Sequence, residues 1–271
     1  AWPYTRLLDF IDDSTPYVSA AFLNAVQDQV IALQGAQRAR VEDWSFATTE
    51  RAAGIVNVEL PDGRWLAIAT ASVSPNGTSW KTAIADANFP WASARFVLDP
   101  DRSSSVSVVS TNQLWKPKAN HTYIVEARAR RGTGATFSSD WNFVVGLNDD
   151  QFFSGVKPLA GIQYAYFTMD AAQAPATFWK CISRDAGGEE STVTTVAVAS
   201  TASEPDLLKV ELIGVGSARY SINGTVVATH AVRQPDEGLY IGAGIYSDVD
   251  PPGVGPGLDL GPIVLRYLAS Q

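Results

Sequence analysis

Cysteine and methionine are all but missing from this 271-residue chain, in which Cys181 and Met169 stand alone. A single cysteine cannot close an intramolecular disulfide, so packing or assembly has to stabilise the fold. Cys181 itself sits within Phe178–Ile182, where a buried small residue is expected. Histidine is nearly as scarce, with only His121 and His230. Neither lies in a nucleophile motif of the G-x-S-x-G kind or a metal motif of the H-E-x-x-H kind, so serine–histidine hydrolysis has no support. His121 opens a strand, and His230 is expected on the solvent side of a hairpin arm.

Positive charge is also short: Lys and Arg total 20 against 28 Asp and Glu, a formal net charge of −8. That deficit argues against nucleic acid as a partner, because phosphate backbones are held by clustered cations. No run of about eighteen apolar residues occurs, which removes a membrane-spanning helix. Arg6, Asp9, Asp12 and Asp13 stand where a signal peptide would carry its apolar region. A soluble protein made in the cytoplasm without its own export signal is therefore expected. Bulk for one large core is abundant, with hydrophobic residues at 46%, charged residues at 18%, and 8 Trp, 9 Tyr and 11 Phe.

What is present divides into two unequal parts, predicted as residues 1–45 and 46–271. The first holds a leader with Leu7, Leu8 and Phe10, then one amphipathic helix starting at Thr15-Pro16 or Ser19 and running to about Gly35. Leu23, Val26, Val30 and Leu33 are spaced three, four and three apart, a narrow seam that calls for a helical partner. A lone helix of this length is marginal in water, so bundling with copies of itself or docking on a larger body is expected. Beyond Ala53 the sequence breaks into short alternating runs separated by Gly, Pro, Asn and Asp, the pattern of an antiparallel sandwich. No helical period separates the runs, which excludes parallel βαβ folds. The fold class is therefore all-β, a β-sandwich preceded by a leader and one α-helix. Asn223-Gly224 predicts a two-residue hairpin pairing Ile222 with Thr225 and Tyr220 with Val227. That turn also explains the Asn223 sequon better than a glycan does.

Candidate binding groups are few. Acidic loops at Asp99-Pro100-Asp101, Asn148-Asp149-Asp150 and Asp248-Val249-Asp250 offer oxygen ligands, with Asp149 and Asp150 the preferred pair for calcium. No other cofactor is expected. Sugars stack their apolar faces on aromatic rings, which makes Tyr164 and Tyr166, on one face of the predicted strand Ile162–Thr168, and Trp179 in the next strand the candidate carbohydrate contacts. Core packing is the competing explanation for each of them.

Several stretches together carry a resemblance. Thr122–Arg128, Trp141–Leu147, Phe178–Cys181, Leu208–Leu212, the hairpin Tyr220-Ser221-Ile222-Asn223-Gly224-Thr225-Val226-Val227-Ala228-Thr229 and the closing Leu258–Leu260 resemble the concanavalin A-like lectin/glucanase jelly roll. The form is the one common in bacteriophage tail fibres and other virion appendages, where a Y-x-I-N-G-x-x-V-A-T hairpin is the most recognisable piece. Roughly two thirds of the chain is covered, and such a likeness specifies fold better than function. The segment from Thr15-Pro16 through Phe22-Leu23-Asn24 and Gln27-Asp28 is similar to one that precedes the distal domain in phage fibres and collars.

The resemblance implies a non-enzymatic virion structural protein on the surface of a phage or phage-like particle, of tail-fibre, spike or capsid-decoration type. It implies a homotrimer held through Phe22, Leu23, Val26, Val30 and Leu33, contacts with other virion proteins, and a jelly roll displayed toward a host-surface glycan. The tight Glu-x-Asp-x-x-Glu motif of one group of jelly-roll glucanases is absent. Its nearest approach, Glu204-Pro205-Asp206, is followed by Lys209, so no catalytic residue is assigned. A polysaccharide depolymerase and a ligand-free decoration protein are the alternatives.

Overall fold

Alternation of apolar and polar residues commits much of this chain to strands, and in the computed structural model every regular element among the described residues is one. The structure describes residues 40–44, 58–59, 65–69, 79–82, 94–97, 104–110, 116–132, 141–149, 163–170, 178–200, 203–247 and 257–269. The predicted leader and helix lie outside these residues. In chain order the strands begin with β1 (Arg40–Trp44), β2 (Val58–Glu59), β3 (Trp65–Ala69), β4 (Ser79–Thr82), β5 (Ala94–Val97) and β6 (Ser104–Ser110). Then come β7 (His121–Arg131), β8 (Trp141–Asn148), β9 (Tyr164–Asp170), β10 (Phe178–Asp185) and β11 (Gly188–Ala197). The last five are β12 (Asp206–Ile213), β13 (Ser217–Ile222), β14 (Thr225–His230), β15 (Tyr240–Ser247) and β16 (Gly257–Ala269).

They form two antiparallel sheets. The first runs β14-β13-β12-β7-β16-β5-β4, with β1 also pairing along β16; the second runs β11-β10-β9-β8-β15-β6-β3-β2. In β7 the residues Tyr123, Val125, Ala127 and Ala129 are buried while Glu126 and Arg128 are only half-buried. Period-2 alternation thus turns one face of the strand inward. The same face of the first sheet carries Val210, Tyr220 and Leu265, and it packs on Val145, Phe167, Cys181 and Ile241 of the second. This interlocking of two inner faces is the sandwich core.

Two bulges shape the first sheet. In β16 the pairing with β7 jumps between Leu260 and Ile263, across Gly261-Pro262. Pro262 has no N–H to give a ladder, and the bulge takes up that gap. Residues 257–260 pair with β5 and residues 263–267 with β1, so the two short strands share one edge of β16.

The second bulge lies in the predicted hairpin. Asn223 and Gly224 both have positive φ, 51° and 84°, as a primed turn demands. Asn223 is fixed further by its Nδ2 donating to Asp206 Oδ1 at 3.0 Å and its Oδ1 accepting from Leu207 N–H at 2.8 Å. Ile222 pairs with Thr225 as expected, but Tyr220 pairs with Ala228 instead of Val227 because the register slips between Tyr220 and Ser221. One extra residue on β14 exchanges the faces of everything beyond it. His230, expected at the surface, is consequently buried with 1% exposure.

There the imidazole joins the two sheets. Its Nδ1 lies 2.7 Å from Ser183 Oγ on β10 and its Nε2 lies 3.0 Å from Thr192 Oγ1 on β11, with the Tyr220 ring centroid 5.0 Å away. Burial holds the His230 pKa below its ordinary 6.5, against a smaller upward pull from Glu190. The unfolded chain therefore binds this proton more readily than the folded one. Stability is full above the unfolded-state value and falls as pH drops through it toward the lowered folded value. Between about pH 7.5 and about pH 5.5 the urea midpoint of the wild type should fall more than that of His230→Gln. Parallel curves would show that His230 carries none of the slope.

Candidate functional site on the outer face of the second sheet

Residues two apart on a strand share a face. In β9, Ala165, Phe167 and Met169 enter the sandwich core, so Tyr164, Tyr166 and Thr168 stand on the opposite, outer face. In β10, Trp179 and Cys181 point inward, leaving Lys180, Ile182 and Arg184 outside. Strand pairing then aligns these residues in transverse rows. One row reads Glu189, Arg184, Tyr164, Asn148, Tyr240 across β11, β10, β9, β8 and β15. The next reads Ser191, Ile182, Tyr166, Gly146, Gly242, and the third includes Val193, Lys180, Thr168 and Val144.

The floor of this face is apolar and separate from the main core. Val109, Val144, Tyr164, Tyr166 and Ile182 cluster together, with Tyr240 packed against them. The Tyr164 and Tyr166 rings are 4.7 Å apart and tilted by 32°. Gly146 makes room for Tyr166: a Cβ there would sit 2.5 Å from the Ala165 carbonyl oxygen and 2.7 Å from Tyr166 Cα. Both neighbours are backbone atoms that cannot step aside, and the φ of 153° at Gly146 further disfavours a side chain.

Above the floor sits a polar cluster. The Tyr164 hydroxyl donates to Glu189 Oε2 at 2.7 Å. Burial and the Glu189 carboxylate push its pKa up to about 12, with Arg184 pulling the other way. Tyr164 is thus a protonated donor at neutral pH. Glu189 is exposed and Lys180, Arg184 and Tyr240 are half-buried, so these are the groups that reach solvent. Tyr164 and Tyr166, only 5% and 6% exposed, support the face from beneath instead of offering open stacking platforms.

Of the three aromatics expected to contact sugar, Trp179 is misplaced. It is fully buried on the core face, its Nε1 donating to Asp206 Oδ2 at 2.7 Å and its ring edge-on to Phe167 at 6.0 Å. The register explains this: Trp179 lies opposite Met169, which puts it out of phase with the tyrosines. Asp149 is half-buried and Asp150 lies outside the described residues, as do Phe22, Leu23, Val26, Val30 and Leu33. Among the described residues no group of three His, Cys, Asp or Glu converges as a metal site. A separate groove of about 520 Å³ runs between edge strands β11 and β14, lined by residues such as Thr194, Val196, Asn223 and Val226, with no titratable side chain.

Sequence reasoning missed Glu189, Arg184 and Lys180. The signal was the Asp185-Ala186-Gly187-Gly188 stretch, a hairpin cue that sets Arg184 opposite Glu189.

No protein-family model and no curated protein matches the chain. Solved structures do. An endo-1,3-β-glucanase from Streptomyces sioyaensis superposes with a TM-score of 0.53 at 11% identity, covering 85% of this chain and 95% of that one. A protein of unknown function from Shewanella oneidensis MR-1 gives 0.54 at 12% identity, covering 86% and 87%. The fold is that of the concanavalin A-like lectin/glucanase jelly rolls. This bears out the all-β sandwich and corrects the expectation that the chain is no enzyme: a glucanase shares the architecture, so the fold is one that enzymes use.

Proposed function

We propose that this jelly roll handles carbohydrate on the outer face of its second sheet. The reading is carried by the row Glu189, Arg184, Tyr164, Asn148, Tyr240, which aligns hydrogen-bonding groups over a tyrosine floor on a face that the main core does not use. An array of this kind suits an extended chain of hydroxyl-bearing units, because several shallow polar contacts in register fix orientation without a deep pocket. In this proposal the chain is the glycan-facing part of a phage or phage-like virion appendage. Residues 1–45 mount it as a homotrimer through the Leu23, Val26, Val30 and Leu33 seam, and residues 46–271 are displayed toward the host. Weak single sites on a symmetric oligomer gain avidity without new contacts.

Titrating the chain with host-surface polysaccharides tests the reading. Glu189→Gln together with Tyr240→Phe, which keeps the packed ring and removes its hydroxyl, should weaken binding by about tenfold while the urea midpoint stays put. Undiminished affinity in that double variant would place the site elsewhere. The glucanase likeness favours a second reading, cleavage of the bound polymer, which appears in the same mixtures as a rise in reducing ends. Solution mass with and without residues 1–40 tests the mount, since a monomer in both forms removes the trimer.

A further inference from the structure

We infer that the glycan taken by this face carries anionic substituents, carboxylate or sulfate, and that Arg184 reads them with Lys180 beside it; the inference rests on the carbohydrate reading above. Arg184 Nε is buried and has no hydrogen-bond partner. A buried donor without an acceptor is costly, and Arg184 cannot escape by losing its proton. Its cross-strand neighbour Glu189 lies directly opposite, yet Glu189 directs Oε2 to the Tyr164 hydroxyl. Among the described residues no carboxylate forms an ion pair with Arg184 or Lys180. Arg130, Arg219, Arg233 and Arg266 each have one, in Asp259, Glu211, Asp185 and Glu126. The cations of this face are therefore set apart from those that merely hold the fold.

Arg184 and Lys180 lie on the same face of β10, four residues and so roughly 13 Å apart, with Ile182 between them. Two cations along one strand, neither ion-paired with a described carboxylate, match an extended polymer bearing charge at intervals better than a single small anion. The guanidinium fork fits the two oxygens of a carboxylate or sulfate in parallel, where a sugar hydroxyl would fill only one position. The formal net charge of −8 repels a polyanion at long range. Recognition on this face therefore comes from contact and owes nothing to steering.

The test uses the full chain, three probes and calorimetry: polygalacturonate, dextran sulfate and neutral laminarin. The wild type should bind at least one acidic polymer about tenfold more tightly than laminarin. Arg184→Gln should erase that preference by lowering affinity for the acidic polymer about tenfold more than affinity for laminarin, and Arg184→Lys, which keeps charge and loses the fork, should restore part of it. Preference for dextran sulfate or for polygalacturonate identifies the oxyanion, and either supports the inference. Equal affinity for acidic and neutral polymers, or an equal loss of both in Arg184→Gln, overturns it while the carbohydrate reading stands. No binding of any of the three overturns the carbohydrate reading itself. If Arg184→Gln fails to fold, Lys180→Gln gives the same readout: a reduced acidic preference supports the inference and an unchanged one counts against it.

Discussion

Replacing Asp259 with alanine lowers the unfolding free energy by about 3–5 kcal/mol, the usual cost of breaking a buried ion pair from one side. Asp259 on β16 and Arg130 on β7 are directly paired in register, with Arg130 Nε 3.1 Å from Asp259 Oδ2 and side chains only 1% and 5% exposed. Arg130 Nη1 also donates to the Ser203 carbonyl at 3.0 Å. Without Asp259 the buried guanidinium keeps its charge and loses this carboxylate. Replacing both residues at once, Arg130→Met with Asp259→Leu, should cost much less, because an apolar pair of similar volume removes the desolvation penalty together with the attraction. Urea unfolding of the two single variants and the double variant measures the coupling. A loss below about 1 kcal/mol in Asp259→Ala would mean that water reaches this pair.

Trp179→Ala is the second large effect, about 3–5 kcal/mol for removing a fully buried indole. The milder Trp179→Phe isolates the polar part. Asp206, a carboxylate on the core face of the first sheet, accepts Trp179 Nε1–H from the second sheet at 2.7 Å and the Ala199 N–H at 2.9 Å through Oδ2. It also takes Asn223 Nδ2–H at the hairpin turn through Oδ1. Deleting the indole N–H leaves Asp206 with one partner fewer inside the core, worth about 1–3 kcal/mol. Glycan affinity provides the control: Trp179 points away from Tyr164 and Tyr166, so Trp179→Phe should bind polysaccharide like the wild type. Reduced affinity at unchanged stability would return Trp179 to the binding site.

Trp179 and His230 mark the limit of what local sequence rules reveal. The turn at Asn223-Gly224, the alternation of β7 and the all-β class follow from local rules acting over a few residues. Faces are a longer-range property. Nothing near His230 announces the bulge that turns it inward, because a bulge belongs to a pair of strands and is invisible in either alone. Trp179 failed for a related reason: adjacency in sequence order placed it next to the tyrosines, while phase along the strand placed it behind them. Tyr164 and Tyr166 were found on one face, as expected. Their polar companions Arg184 and Glu189 became neighbours only once the β10–β11 pairing was known.

The place of β16 has a bearing on how the protein is made. Its pairing with β7 joins Leu258 to Arg131 and Ala269 to His121, across the middle of the first sheet. β5 and β1, far earlier in the chain, also find their partner in β16. While a ribosome is still short of residue 257, the edges of β7, β5 and β1 that will meet β16 wait unpaired, and such edges are where chains stick to one another. Closure at this sequence separation is slow. The growing polypeptide is therefore most exposed to aggregation until β16 emerges, and variants that delay that strand should be lost to aggregation before they are lost to instability.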